Sequence, residues 1–159
     1  MSQAGTFAET TQGYAPPYVT QFSVFLDNRV GKLHELLRAF ENSTVCIVAI
    51  SVHDASDYAV VRLITNNSNE TKLLLTRHNL PFSEVGLIVV ELDRGHSLER
   101  LCLYLLGAEL NIRFAYPLMH APSNLPTVAL AVDDVTLAGQ ILRRKEFRLL
   151  GEEELGRPV

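Results

Sequence analysis

The chain has 159 residues, a formal net charge of −4 at neutral pH and 47% hydrophobic residues. The acidic balance argues against a nucleic-acid partner, which needs a basic face to neutralise phosphates. No apolar run reaches the roughly 18 residues that cross a bilayer, so we expect no membrane partner. Cys46 and Cys102 lie in apolar patterns typical of small core residues rather than of a disulfide framework, which favours a cytoplasmic location.

The first half of the chain is predicted to form strand, helix, strand, strand, helix and strand in that order. Residues 1–17 are polar, end in two prolines and are predicted to be a flexible arm. Alternating apolar positions at residues 18–26 predict a strand, and the leucine spacing of residues 32–42 predicts an amphipathic helix. Three further strands are predicted at residues 44–52, 58–65 and 82–85. A second helix is predicted with Asn67 as its N-cap.

The second half repeats the first. The apolar positions of the first strand return 66 positions later, and the leucine stripe of the first helix returns 65 positions later. A repeat of this length indicates two copies of a small βαββαβ domain. Its predicted elements are strands at residues 87–92, 111–119, 127–132 and 147–150, a helix at residues 97–108 and a helix capped by Asp133 or Asp134.

In each copy both helices are predicted to cover one sheet face, which leaves the other face open for a partner. Arg62 and Arg113 interrupt apolar strands and are predicted to point to that open face. Leu103 and Leu106 lie outside the main stripe of their helix. Burial of this helix on two sides and a subunit interface both explain the wide apolar face. The acidic tail at residues 151–154 is predicted to be solvated.

Each copy has an acidic, glycine-bearing turn before its leucine-striped helix, Asp27–Leu33 in the first and Asp93–Leu98 in the second. A βαββαβ unit with such a turn resembles the ACT domain, a small-molecule-sensing module of amino-acid biosynthetic enzymes, and two copies resemble the stand-alone tandem ACT proteins. The usual turn reads Asp-x-Pro-Gly-x-Leu, and here Val30 stands in place of the proline. The resemblance implies an α+β fold of two ferredoxin-like units, each an antiparallel sheet with its helices on one face. The domains are predicted at residues 18–85 and 86–155, between the arm at 1–17 and a tail at 156–159.

The resemblance also implies an effector site where two ACT domains lie side by side, built from the first turn of one domain and strand residues of its neighbour. The backbone N–H groups that begin the helix at residues 32–42 suit a carboxylate, and Asp27 or Asn28 suits an ammonium group. For both turns the alternative stays open that the polar residues only cap the helix and the glycine only permits the turn. The expected ligand-binding residues are Asp27, Asn28, Arg29, Val30, Gly31, Lys32, Leu33, Ile47, Ala49, Asp93, Arg94, Gly95, His96, Ser97, Asn111 and Ile112.

We expect a non-catalytic regulatory protein that binds a small-molecule effector, an amino acid or related metabolite, and forms a homodimer. Asp93, His96 and Ser97 are nearly contiguous and suit helix capping better than a catalytic triad. The five histidines show no ligand spacing, so we expect no catalytic residue, no cofactor and no metal site. The alternative function is a ligand-independent structural module that associates with a biosynthetic enzyme as a detached regulatory subunit.

Overall fold

The computed structural model describes residues 9–10, 13–14 and 16–156. The predicted flexible arm therefore lies largely outside the described residues. Within it, Glu9–Thr10 (β1) and Gly13–Tyr14 (β2) pair as an antiparallel ribbon. Pro16 is buried against the second half of the chain, since a Cβ placed on Gly139 would lie 2.3 Å from its Cγ. The prolines at the end of the predicted arm thus belong to the folded body.

The remaining elements form two ferredoxin-like βαββαβ units that share one strand, and the fold class is α+β as predicted. The first unit consists of β3 (Val19–Asp27), α1 (Lys32–Glu41), β4 (Ile47–Ala55), β5 (Tyr58–Thr65), α2 (Ser68–Arg77) and the first half of β6 (Phe82–Glu91). The second unit consists of the second half of β6, α3 (Leu98–Gly107), β7 (Ile112–Pro117), β8 (Thr127–Val132), α4 (Val135–Arg144) and β9 (Leu149–Leu150). A 3-10 helix, Glu152–Glu154, follows.

Strand β6 joins the two units. The strand order of the main sheet is β4-β5-β3-β6-β8-β7, with β9 also beside β6, and all pairs are antiparallel. Residues 82–87 pair with β3, and residues 88–91 pair with β8. The prediction of two separate strands around Gly86 is wrong, because each half of the strand has an antiparallel partner that keeps it extended. The predicted boundary between residues 85 and 86 falls inside this strand.

Local sequence explains where the helices begin. Helices α2, α3 and α4 have side-chain caps, Asn67, Ser97 and Asp134, which accept hydrogen bonds from backbone N–H groups at 3.0, 3.2 and 2.9 Å. Each cap satisfies one of the N–H groups that a helix start leaves unpaired, and all three were predicted. Helix α1 differs, because it begins after Gly31 and has no side-chain cap.

Apolar side chains form two cores beneath the helices and a third core between the units. Phe22 lies under α1 and α2, and Ile88 lies under α3 and α4. The third cluster draws on the helix-free faces of both units and includes Val19, Leu87 and Ala129. The prediction that these faces stay open for a partner is therefore wrong where the cluster forms. Strands β4 and β7 are at opposite edges of the sheet, yet they lie in contact, and the Met119 N–H after β7 donates to the Val48 carbonyl at 2.7 Å. The two units therefore cover each other.

Polar contacts accompany this central cluster. The Tyr116 hydroxyl donates to Gln21 Oε1 at 2.6 Å, and burial raises the pKa of that hydroxyl. Arg62 lies on the helix-free face as predicted, but its Cζ is 4.0 Å from the centre of the Phe114 ring in the other unit. Arg113 is exposed at an irregular position of β7. The junction of the units is thus held by directed contacts as well as by apolar burial.

The C-terminal tail is packed on the first unit. Leu155 is only 1% exposed and belongs to the central cluster. Glu152 Oε1 accepts a hydrogen bond from the Ser68 N–H at 2.6 Å, and Asn66 Nδ2 donates to the Gly156 carbonyl at 2.8 Å. The prediction of a solvated segment at residues 151–154 is therefore wrong for Gly151, which is buried, and Glu152, which bonds to the start of α2, whereas Glu153 and Glu154 are exposed as predicted.

Helix α3 is buried on one side only. Leu101 and Leu105 face the core, whereas Cys102, Leu103 and Leu106 are exposed. The prediction of Cys102 as a core residue is wrong, and so is burial on two sides as an explanation for the leucines. None of the described helices is long and apolar enough to cross a membrane.

Candidate functional site

The turn between β3 and α1 is fixed to two neighbouring segments. Asn28 Nδ2 donates to Asp54 Oδ1 and to the Ser56 carbonyl, both at 2.9 Å. The Phe25 N–H donates to the Pro81 carbonyl at 2.9 Å. The Asn28 amide therefore holds the turn to the β4–β5 hairpin and is engaged by the protein itself.

Gly31 sets the start of α1. Its φ of +91° is a left-handed conformation that glycine adopts without steric cost. The Glu35 N–H donates to its carbonyl at 3.0 Å, while Val30 beside it is fully exposed and Leu33 packs on the first core. No side chain caps α1, and the Lys32 N–H donates to the Arg29 carbonyl at 3.3 Å. The positive end of the helix dipole at this start favours an anion.

A cavity of about 290 Å³ lies beside this turn. Charged side chains of both signs border it. Asp27 and Glu35 are negative, and Lys32 is positive. Its volume is at the lower end of the range for small-molecule sites. The rest of the lining consists of Phe25, Leu26, Leu36, His78, Asn79, Leu80 and Pro81.

The charged side chains at the cavity form ion pairs that are exposed to solvent. Asp27 Oδ2 lies 3.1 Å from an Arg29 guanidinium nitrogen, and Lys32 Nζ lies 2.9 Å from Glu35 Oε2. Exposed ion pairs contribute only about 0–1 kcal/mol to stability. A charged ligand can therefore replace either pair at little cost.

The second turn is closed by its own residues. Asp93 Oδ1 accepts from the Gly95 N–H at 2.9 Å and lies 2.7 Å from His96 Nδ1. His96 Nε2 lies 3.1 Å from the Lys145 carbonyl at the end of α4, so both ring nitrogens of His96 face oxygen atoms. The contact with His96 holds the pKa of Asp93 below its ordinary value. Arg94 is exposed, and the contacts of the neighbouring residues are those of helix capping.

The strand residues expected at the sites lie away from both turns. Ile47 packs beneath the helices of the first unit and Ala49 is buried in the central cluster. Ala49 lies five strand residues, or about 16 Å, from Asp54, which contacts the first turn. Asn111 and Ile112 lie at the end of the second unit opposite its turn, because Ile112 pairs with the last residue of β8. Within one chain, the structure does not bring the expected strand residues to the turns.

Sequence reasoning missed the far wall of the cavity. Nothing in the spacing of Leu80 and Pro81 indicates that they lie beside Asp27. Their position follows from the pairing of β3 with β6, a contact between segments about 60 residues apart in sequence. Such a contact leaves no local pattern from which it can be predicted.

Two other cavities suit an amino acid less well. A cavity of about 650 Å³ between the start of α3 and the segment after β7 has no charged residue in its lining, which includes Leu98, Met119 and Leu125. A cavity of about 400 Å³ lies where the tail meets α2. There the Glu152 carboxylate already bonds to the N-terminus of the helix at Ser68.

Comparison with known proteins agrees with the fold. Residues 18–156 match the family model of the ACT domain pair. The chain belongs to this family. None of the curated proteins compared is similar enough in sequence to count as a relative of this ACT domain pair.

Two solved structures share the architecture of this ACT domain pair. The protein BT0572 from Bacteroides thetaiotaomicron is 18% identical, with a TM-score of 0.77 over 88% of this chain and 96% of that one. The regulatory subunit of aspartate kinase from Thermus thermophilus, in a ligand-free form, is 8% identical, with a TM-score of 0.52 over 81% of this chain and 93% of that one. At these identities the likeness concerns the fold alone.

Proposed function

We propose that this ACT domain pair is a non-catalytic regulatory protein that binds an amino acid or a similar small metabolite beside the β3–α1 turn. The observation that carries the proposal is the uncapped start of α1 next to a small cavity with charges of both signs. Membership of the ACT domain pair family supports a sensing role, and one protein of the same fold is a regulatory subunit.

The cavity offers a partner for each part of a free amino acid. The Lys32 ammonium attracts a carboxylate, and the positive end of the α1 dipole favours an anion beside it. The Asp27 and Glu35 carboxylates accept hydrogen bonds from an ammonium group. The apolar wall around Leu36 and Leu80 suits an aliphatic side chain. A ligand with only one of these three parts is expected to bind more weakly.

Hydrogen bonds connect this turn and the strand before it to two other segments of the molecule. Asn28 connects the turn to the β4–β5 hairpin, and the hydrogen bond from Phe25 to Pro81 connects β3 to the segment before β6. An effector regulates only if it binds two states of the protein with different affinity. We infer that the ligand-bound state is the one in which these segments are held in a fixed position.

Calorimetric titration of the protein with each of the twenty amino acids at millimolar concentration tests the proposal. We expect heat with at least one of them, and we expect Lys32→Gln to weaken binding about 10-fold or more, since it removes a charged contact. Lys72→Gln is the matched control, because Lys72 pairs with Glu84 and does not line the cavity. Absence of heat with all twenty would refute the proposal for standard amino acids.

The second candidate function is a ligand-independent module that associates with a biosynthetic enzyme. The second turn favours this function, because His96 in that turn already contacts Asp93 and the Lys145 carbonyl. These contacts give the turn a structural role rather than a ligand-binding one. Gel filtration with and without amino acids separates the two functions. A ligand-dependent change in assembly favours sensing, whereas co-purification of an enzyme without any ligand effect favours the structural module.

A further inference from the structure

The two units differ at the place where the turn after the first strand meets the connection between the middle strands. In the first unit that connection is only residues 56–57, and Asn28 in the β3–α1 turn donates to its backbone. In the second unit the connection covers residues 118–126. The Leu92 N–H still donates to the Pro126 carbonyl, at 2.8 Å. The longer connection leaves the cavity of about 650 Å³ between itself and the start of α3.

This cavity has the size and lining of a small-molecule site. Its volume of about 650 Å³ is more than twice the 290 Å³ of the cavity at the first turn and lies within the usual range of about 300–1,000 Å³. Among the residues that line it, none is charged. Three large apolar side chains of the lining are partly exposed, Leu98 at 47%, Met119 at 56% and Leu125 at 37%. Methionine is flexible and adapts to the shape of a ligand.

The wall formed by residues 118–126 is fixed at its start by backbone hydrogen bonds. The Leu118 N–H donates to the Thr127 carbonyl at 3.0 Å. The Met119 N–H donates to the Val48 carbonyl in the first unit at 2.7 Å. One bond holds the wall to the neighbouring strand and the other holds it to the opposite unit, so the position of the Met119 backbone is set from both sides.

A buried carboxylate anchors the middle of the same wall. Glu91 is only 5% exposed, and its Oε1 accepts a hydrogen bond from the Ser123 hydroxyl. Arg148 Nη1 lies 3.4 Å from the same oxygen. A buried charge is destabilising unless it is paired and hydrogen-bonded, so Glu91 keeps Ser123 beside it. The wall is therefore already formed, and binding of a ligand does not have to order it.

The polar groups of the lining determine the class of ligand. The Tyr116 hydroxyl donates to Gln21, and the Thr127 hydroxyl donates to the Leu125 carbonyl at 2.9 Å. The exposed Asn124 side chain offers an N–H donor and a carbonyl acceptor. A charged ligand would lose its hydration here without meeting a charge of opposite sign. The lining therefore suits a neutral, largely apolar molecule with a hydrogen-bonding group.

We propose that the cavity between α3 and residues 118–126 is a binding site for a neutral, largely apolar small molecule. The two halves of the repeat then differ in chemistry at corresponding places. The first turn has charged side chains of both signs beside its cavity, whereas the larger cavity in the second unit has none. The proposal goes beyond amino-acid binding at the first turn and does not depend on it.

Titration of the full chain into a fixed, dilute solution of N-phenyl-α-naphthylamine, a neutral apolar fluorophore, tests the site. We expect the fluorescence to rise to saturation with a Kd on the order of 10–100 µM. Met119→Glu places a carboxylate in the wall and should raise this Kd at least about 10-fold. Leu103→Glu is the matched control, because Leu103 is similarly exposed, at 54%, but does not line the cavity. It should leave the Kd unchanged, and circular dichroism should show both variants folded.

The sulfonated form of the same fluorophore, anilinonaphthalene sulfonate, tests the class of ligand. At the site that Met119→Glu disrupts, it should bind at least about 10-fold more weakly than the neutral form, since no cation lines the cavity. Equal affinity of the two forms at that site would overturn the proposed class.

Three further results would overturn the site itself. The first is the lack of saturable binding of the neutral fluorophore, and the second is equal binding by the native protein and Met119→Glu. The third is a dimer in sedimentation equilibrium that Met119→Glu dissociates, because it would show that a second copy of the chain covers the cavity.

Discussion

Truncation of Leu155 to alanine should destabilise the protein although the residue follows three exposed or half-buried glutamates. The side chain is 1% exposed and packs in the cluster between the units. Buried Leu→Ala substitutions cost about 2–5 kcal/mol. We expect a value in the lower part of this range, about 2–3 kcal/mol, because the short 3-10 helix before Leu155 has exposed residues and can relax into the space. For a protein of this size, that loss lowers Tm by roughly 5–10 °C.

Urea unfolding followed by circular dichroism measures this change. The midpoint should fall while the slope stays the same, since the native fold is kept. Val30→Ala is the control, because Val30 is fully exposed and its truncation should change stability by less than about 0.5 kcal/mol. An L155A midpoint equal to that of the native protein would show that the tail does not pack on the first unit, and the bridge described above would be incorrect.

Tyr116→Phe removes the donor to the buried Gln21 side chain and should cost about 1–3 kcal/mol in urea unfolding, whereas an unchanged midpoint would mean that this hydrogen bond is not made. Gly31→Ala introduces a Cβ at a φ of +91° and should cost about 1–2 kcal/mol in the same assay; equal stability would mean a relaxed turn. Asp93→Asn should lower stability above the ordinary pKa of 3.8, and its effect should shrink progressively as pH falls below that value. The contact with His96 lowers the folded-state pKa of Asp93, so its stabilisation is complete above the unfolded-state pKa and is lost as pH falls through the folded-state value. Tm measured for both proteins from pH 7 to pH 3 should therefore converge, and a constant difference would contradict the assignment.

The order and type of the elements were predictable because local patterns carry them. The strand at residues 58–65 has both of its predicted ends, and Asn67, Ser97 and Asp134 cap their helices as their spacing indicates. A cap involves residues within one turn of each other. Period-two and period-3.6 patterns likewise depend on neighbours in sequence.

The packing of the units on each other was not predictable from these patterns. Periodicity shows that residues such as Val19 and Leu87 face away from the helices, but it does not show what lies opposite. Leu155 sits in a short acidic segment that has the composition of a solvated tail. Its burial depends on hydrogen bonds to Asn66 and Ser68, about 90 residues away in sequence.

The candidate site was predictable only on one side. Asp27, Gly31 and Lys32 occur together in the sequence, so a single turn brings them together. The opposite wall at residues 78–81 and the burial of Ala49 are consequences of sheet register and of the central cluster. The sequence does not show that the polar groups of the second turn are hydrogen-bonded within the protein. His96 contacts the Lys145 carbonyl, which lies at the end of another helix and far away in sequence.

Because β6 serves as the last strand of one unit and the first of the next, the duplicated halves have no hinge between them. The repeat boundary offers no loop to a protease. A chain divided there would leave each fragment with half of strand β6. Tandem modules joined by a linker can turn relative to each other and can be exchanged one at a time. Here the backbone of β6 is continuous and hydrogen-bonded in both units, so we expect the pair to unfold in a single cooperative transition.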